Sequence, residues 1–332
     1  METEKANRNI KLLNYSITSL SWSEQFGRLL DTSQTFEENL GQLLGEVTKD
    51  FKTREAIFVL PANLLFSSFF SLPLISEKNL KNAIIYEASK YIPIAADEVA
   101  IDWRAFQFQN IYQQESQPRW LIFMVASPKN LIEKFQNASM IAGLKLRKTI
   151  PEFLAIEPFL VDTSPKAIVD LGTSYSLFLV FHQNKIIYGK KIQFRAYDLI
   201  QSMATMMNVV FDRAEDFLVE NGFNLPPEES DLRANIFNFV GNLANELTQS
   251  VNEVEERFLI NIDTLLLTGG LALAPGFLNL LASKITKFPI ALMDPFDKII
   301  LPSRVKGVEL KRGPVLSQAL GACFKYFFDK IK

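Results

Sequence analysis

The sequence predicts an α/β fold, and three observations carry that expectation. Short apolar runs rich in strand formers alternate with segments of helical period along the whole chain. Two of the runs end in small-residue turns, Asp170-Leu171-Gly172-Thr173-Ser174 and Thr268-Gly269-Gly270. The chain has 332 residues, 48% of them apolar, enough for two domains of ordinary size or one bilobal body with a large core.

Taken in order, residues 10–21 read as one or two strands, and 36–51 as a helix with Leu40, Leu43, Leu44 and Val47 on one face. The stretch 56–75 is as long as a bilayer span of about 20 residues. Pro61 and Pro73 break helix there, Asn63 and paired serines add polar cost, and the phenylalanines favour strand. It reads as two buried strands joined at Pro61-Ala62-Asn63. Ser76 and Glu77 open a helix to about residue 91, with Ser76 as its cap. A strand follows Pro93 over 97–108, another covers 119–127, and a helix over 129–142 stops at Gly143. The strand 144–150 leads through Pro151 into a helix ending near 161. Asp162-Thr163-Ser164-Pro165 is the best internal boundary. Beyond it come strands at 167–171, 175–182 and 185–194, then helices near 196–207 and 213–221. A polar loop precedes the long amphipathic helix 231–258, in which Ile236, Val240, Leu243, Leu247, Val251 and Val254 keep the 3.6 period. A strand at 262–270, a helix from Ala274, a strand with its loop at 288–296 and a closing helix over 314–328 complete the chain.

Composition excludes several function classes. The formal net charge is -2 with acids and bases interspersed, so there is no electrostatic footprint for nucleic acid and no polybasic tail for anionic lipid. Cys323 is the single cysteine, which rules out an intrachain disulfide and points to a reducing compartment. His182 is the single histidine and reads as a solvated residue at a hairpin tip. The first eleven residues are charged and polar, unlike a secretory signal. Neither a G-x-G-x-x-G fingerprint nor a G-x-x-x-x-G-K-[ST] loop occurs.

The turn at 170–174 has the chemistry of a phosphate cradle: glycine admits close backbone approach, hydroxyls donate, and a carboxylate can hold Mg²⁺ through water. Taken alone it reads equally as a well-made hairpin. The Gly269-Gly270 turn leaves bare backbone for a flat ring or a sugar, and reads equally as a tight strand-to-helix connection. Glu152 and Glu157 are the acids that could orient a water. Their simpler readings are a first-turn acid on the helix dipole for Glu152 and a solvated residue for Glu157.

The order of these pieces, together with "EASKYIPIAADEVAIDW" (87–103), "SFFSLPLISEKNLKNAIIYEASKYIP" (68–93), "VASPKNLIEKFQNASMIAGLK" (125–145) and "DPFDKI" (294–299), resembles the PilM family of type IV pilus assembly proteins in the actin-like ATPase superfamily. The resemblance covers about residues 10–325. It implies two ribonuclease H-like lobes, 1–164 and 165–320, with a small α/β subdomain inserted at about 66–147 and residues 321–332 returning as a helix to the first lobe. It implies a cleft for ATP or ADP with Mg²⁺, in which Asp170, Gly172, Thr173 and Ser174 form the second phosphate loop and Asp170 holds the metal through water. Gly269, Gly270 and Leu271 would form the adenosine loop, with Glu215 on the helix beside it.

The family's first phosphate loop has the form Gly-x-Asp-x-Gly-Ser-Ser, and no such segment occurs in these 332 residues. The expectation is a first lobe shortened at its N-terminus, or a lineage that has dropped the loop. About half the phosphate donors would then be absent. Leu218 and Val219 stand where the family places a cation. The resemblance therefore implies a cytoplasmic adaptor with weakened or lost nucleotide binding and no turnover. A PilN-like bitopic membrane protein would recruit it to the inner face of the inner membrane through its cytosolic tail, and homo-oligomerisation stays open. The helix 77–91 and the strand 97–108 would wall the tail's groove. Tyr91 and Trp103 read as its anchors or, more simply, as core aromatics. Two alternatives are an active, filament-forming ATPase of FtsA type, with "FKYFFDKIK" (324–332) as an interfacial helix, and a sugar kinase. The second needs both phosphate loops. The tail's short length favours a packed helix.

Overall fold

The computed structural model describes residues 1–16, 35–95, 97–108, 118–160, 162–225, 230–301 and 313–328. The chain divides into two compact units: Met1–Pro158 with Lys298–Pro302 and Gln318–Lys332, and Phe159–Asp297 with Ser303–Ser317. The one or two strands expected over 10–21 and the polar loop before 230 lie partly outside the described residues.

The first unit opens with a hairpin, β1 (Glu2–Ala6) and β2 (Asn9–Asn14), turned at Asn7 with φ 54°. Helix α1 (Phe36–Thr48) starts at a capping box in which Thr35 and Glu38 satisfy each other's backbone amides. Strand β3 (Glu55–Leu60) pairs in parallel with β7 (Lys145–Pro151), Val59 opposite Ile150. Between them in sequence lies an antiparallel three-stranded sheet in the order β4 (Phe66–Pro73), β6 (Arg119–Pro128), β5 (Val99–Phe108). Helix α2 (Glu77–Ala88) covers it: Leu80, Ile84 and Ala88 pack with Phe70, Trp120, Ile122 and Met124. The centre strand β6 is buried on both faces, which is why its sequence is a continuous apolar run. Helix α3 (Lys129–Ile141) returns the chain to β7, and the single-turn helix α4 (Glu152–Ala155) follows.

The second unit is built on a five-stranded sheet. Strands β8 (Lys166–Leu171), β9 (Ser176–His182) and β10 (Lys185–Ile192) form an antiparallel meander. Helices α5 (Ala196–Met207), α6 (Phe211–Asn221) and α7 (Ser230–Phe258) come next, and β11 (Thr264–Thr268) then lies parallel to β8. Helix α8 (Phe277–Lys284) leads to β12 (Ile290–Leu292), giving the order β10-β9-β8-β11-β12. Ala167, Ile168 and Val169 of β8 are fully buried, and the apolar stripe of α7 is buried from Leu232 to Phe258. The last strand, β13 (Ile299–Ile300), pairs in parallel with β2, and residues 318–328 of α9 (Gly313–Phe328) belong to the first unit.

Several local readings change. Strand β1 was not apparent in the charged run Glu2-Thr3-Glu4-Lys5-Ala6. It is secured by the buried Glu2, whose carboxylate accepts the Lys52 and Thr53 amides at 2.7 Å each. The two expected strands of 56–72 exist but are half-buried and belong to separate sheets. Ser76 sits at the start of α2 without a side-chain capping bond. The helix expected to reach 161 stops after one turn, and Glu157–Phe159 form a 3-10 turn around Pro158. His182 is not solvated: its ring is partly buried, its Nδ1 has no hydrogen-bond partner among the described residues, and burial lowers its pKa.

Candidate functional site

Strand β8 delivers Asp170 and Leu171 into a turn that only glycine can make at position 172. A Cβ there would lie 2.4 Å from the Tyr175 carbonyl oxygen. The Gly172 and Thr173 carbonyls accept the Ala196 and Tyr197 amides at 3.2 and 3.1 Å, so the turn serves as the cap of α5. Arg195, just before that helix, is paired with Asp198, whose carboxylate raises its pKa further. Asp170, Gly172 and Thr173 are half-buried, and Ser174 is exposed.

The second turn is pressed against the first. Strand β11 runs beside β8 with Thr268 opposite Asp170. The buried Thr268 hydroxyl donates to the Pro314 carbonyl at 2.6 Å. Gly269 has φ 89°, and a Cβ on it would meet the Leu171 carbonyl oxygen at 2.5 Å and Asp170 Oδ1 at 2.7 Å. Gly270 is exposed, and a Cβ on it would meet nothing within 4 Å. Leu271 is buried at the start of a 3-10 turn. The carboxyl ends of two adjacent parallel strands thus hold Asp170, Gly172, Thr173, Ser174, Gly269, Gly270 and Leu271 together. Open α/β sheets receive ligands at this edge.

Glu215 lies on α6. The end of that helix is tied to the loop after Gly270, because Phe223 donates its amide to the Pro275 carbonyl at 2.7 Å. Glu215 is about two helical turns before this tie. Desolvation raises its pKa, helped by Asp212 and Asp216 on the same helix. Leu218 is a core residue at 4% exposure, whereas Val219 points outward at 69%. No group of three or more His, Cys, Asp or Glu side chains that could hold a metal occurs among the described residues.

Glu152 and Glu157 belong to the first unit, where both make structural contacts. Glu152 is buried and accepts the Ala62 amide at 2.7 Å and the Gln318 side chain at 2.8 Å. Glu157 is not a solvated helix residue, because it is paired with the buried ammonium of Lys325. In the inserted sheet, Trp103 is partly buried against the core cluster. Tyr91 is not a core aromatic: it stacks on Phe70 with ring centroids 5.6 Å apart and stays 43% exposed. Sequence reasoning passed over Tyr86, which is 74% exposed on α2. Its signal was an aromatic lying off the Leu80-Ile84-Ala88 face.

Residues 4–327 match the family described as type IV pilus assembly protein PilM. Among solved structures, the chain is similar to one titled PilM-PilN type IV pilus biogenesis complex. The two are 18% identical over 97% of this chain and 94% of that one, with a TM-score of 0.76. Two further likenesses are too loose to argue from. The ethanolamine utilization protein EutJ from Carboxydothermus hydrogenoformans is 17% identical over 58% of this chain and 60% of its own, at a TM-score of 0.42. MreB 5 of Spiroplasma citri bound to AMPPNP is 10% identical over 89% of this chain and 76% of its own, at 0.47. The fold is that of the actin-like ATPases. With nearly its whole length matched, this chain belongs to the family of the type IV pilus assembly protein PilM.

Proposed function

We propose that the chain is a cytoplasmic adaptor of a type IV pilus, or related type II secretion, assembly machine. It binds the cytosolic N-terminal tail of a PilN-like bitopic protein and so gathers at the inner membrane. Family membership and the likeness to a solved PilM-PilN complex support this reading. The observation that carries it is the inserted sheet of the first unit, whose covering helix α2 leads into exposed Tyr91 and itself presents exposed Tyr86. Rigid aromatics at a protein surface are the usual anchors for a peptide. No helix among the described residues is long and apolar enough to cross a membrane, which suits a recruited partner.

The second unit's edge fits part of a nucleotide. Gly269, Gly270 and Leu271 would flank the adenosine, and Gly172, Thr173 and Ser174 would face the phosphates. Among the described residues gathered at this edge, Asp170 is the one carboxylate for Mg²⁺, and it lies against Gly269. The buried Leu218 and the outward Val219 supply no cation. These features support a weak grip on ATP. The FtsA-type alternative needs an interfacial tail, yet in α9 Phe324 and Phe328 pack on each other at 4.5 Å and Lys325 is buried.

Calorimetry with the partner's cytosolic tail peptide tests the reading. Tyr91→Glu and Tyr86→Glu should each weaken the tail about tenfold, equivalent to ~1.4 kcal/mol. Asp170→Ala should fold and bind as before. The unmodified chain should show no saturable binding of ATP-Mg²⁺ tighter than about 1 mM, or roughly -4 kcal/mol. A micromolar ATP isotherm, or loss of tail binding in a folded Asp170→Ala chain, would replace the adaptor with a nucleotide-governed ATPase.

A further inference from the structure

One end of the first unit brings together charged and apolar side chains that lie far apart in the sequence. Helices α1 and α3 pack side by side and run the same way: Phe36 meets Phe135 at 5.8 Å, and a Cβ on Gly45 would come within 4.0 Å of Ala142. Both helices therefore end beside the starts of the parallel strands β3 and β7. There Glu55 pairs with Lys145, and the Lys145 amide donates to the Arg54 carbonyl at 2.7 Å. The loop 49–54 is thus laid against the turn 140–145. Buried Glu2 fixes that loop by accepting the Lys52 and Thr53 amides at 2.7 Å each.

The side chains at this end have two properties. Lys49, Lys52, Arg54, Lys145 and Arg147 are all exposed. Arg147 is paired with Glu55, and the other four have no ion pair among the described residues. Residues 49–55 and 140–147 together hold five cations and two acids, a local charge of +3 in a chain whose net charge is -2. Beside these cations lie Met140, 66% exposed, and Ile141, 50% exposed. Single exposed apolar side chains are ordinary, but two consecutive ones ringed by cations make a patch. The second unit also exposes a consecutive pair, Val209 and Val210. Its exposed neighbours on α6 include Asp212 and Asp216, so the sign of charge sets the two patches apart.

We propose that this end of the first unit is a docking surface for an anionic lipid bilayer. Met140 and Ile141 enter the headgroup region, while the lysine and arginine stems lie along it with their charges at the lipid phosphates. Each cation held near an anionic bilayer is worth about fivefold in partitioning, or ~1 kcal/mol. Two apolar side chains and a local charge of +3 therefore give weak, salt-sensitive binding. This contact goes beyond the tail-borne recruitment proposed above and needs no tail. Where a tail also holds the chain, the two contacts reinforce each other.

The test uses the full chain and protein-free vesicles, made either of phosphatidylcholine or of equal parts phosphatidylcholine and phosphatidylglycerol. Sedimentation should recover the chain with the phosphatidylglycerol vesicles alone. Binding should be lost at about 1 M salt, where the Debye length falls to about 3 Å. Lys145→Glu and Met140→Asp should each weaken it about tenfold or more. Both side chains are exposed, and circular dichroism checks that the variants fold. Lys78→Glu, on the exposed face of α2, should leave binding unchanged. So should Tyr91→Glu, which keeps the outcome separate from that of tail binding. Equal recovery with both kinds of vesicle, undiminished binding of Met140→Asp, or an equal loss in Lys78→Glu would each overturn the proposal. So would a dimer, seen by ultracentrifugation without vesicles and lost in Met140→Asp, because the patch would then be an interface between copies of this chain.

Discussion

The two units make an internal comparison, because among the described residues one is built on a single five-stranded sheet and the other on several smaller ones. In the second unit, β8 is bonded on both edges and buried on both faces, and every residue from Ala167 to Val169 is fully inaccessible. In the first, β3 pairs with β7 alone among the described residues, and Ala56–Val59 are half-buried beside a cavity. The difference directs attention to contacts that reach the first unit's strands from outside their sheets. Three such contacts are polar: Glu2 bonds the chain ahead of β3, Glu152 ties Ala62 to Gln318, and Glu157 holds the ammonium of Lys325.

Large-to-small substitutions should show this most strongly. Phe178→Ala on β9, fully buried beside β8, should cost about 3–5 kcal/mol in chemical denaturation. Ile57→Ala on β3, a half-buried residue lining a cavity, should fall below the usual ~2 kcal/mol floor for such a change. Equal losses at the two sites would mean that the first unit's sheet is as tightly packed as the second's. Two units that melt together would also blur the contrast, so tryptophan fluorescence should be read beside far-UV dichroism.

A smaller effect separates the two glycines of the second turn. Gly269→Ala puts a Cβ against the Leu171 carbonyl and Asp170 at a positive φ, and should cost about 1–3 kcal/mol. Gly270→Ala meets nothing and should change stability by less than ~0.5 kcal/mol. Glu152→Ala is the first unit's counterpart. It strands the buried Ala62 amide and the Gln318 side chain, and should cost about 1–3 kcal/mol. A neutral Glu152→Ala would remove the polar-tie account of the first unit.

The second unit was the more legible in sequence. Its strands are apolar runs, its glycine turns mark their ends, and α7 repeats its stripe over 29 residues. Periodicity reports burial on a regular element, and the second unit's long helix α7 and buried strands are such elements. Strand β1 escaped because Glu2-Thr3-Glu4-Lys5-Ala6 has no apolar alternation, and its buried Glu2 is stabilised by amides fifty residues away. Glu157 was misread for the same reason, since its partner Lys325 is 168 residues distant. The candidate turns were readable as turns. Their mutual contact, Gly269 against Asp170, was not, because it depends on the parallel register of β8 and β11.

The smallest effect compares two surface carboxylates that the comparison treats alike. Glu55, at the start of β3, has its pKa lowered by Arg147 and then by the Tyr326 hydroxyl. Asp162, before β8, is lowered to about 2 by Lys166 first, then by the Ser164 hydroxyl and amide. In both, the folded state prefers the charged form. The stabilisation is therefore complete above the ordinary carboxylate range and is lost as pH falls, for Asp162 between its ordinary 3.8 and about 2. Both groups are solvent-exposed, so the stability change should be slight and the titration itself is the readout. Carbon-detected NMR should place the Asp162 midpoint near 2, and Lys166→Met should return it towards 3.8 while leaving Glu55 untouched. Arg147→Met should raise Glu55 and leave Asp162 where it was. If Asp162 titrates near 3.8 in the unmodified chain, its cluster with Lys166 and Ser164 does not persist in solution.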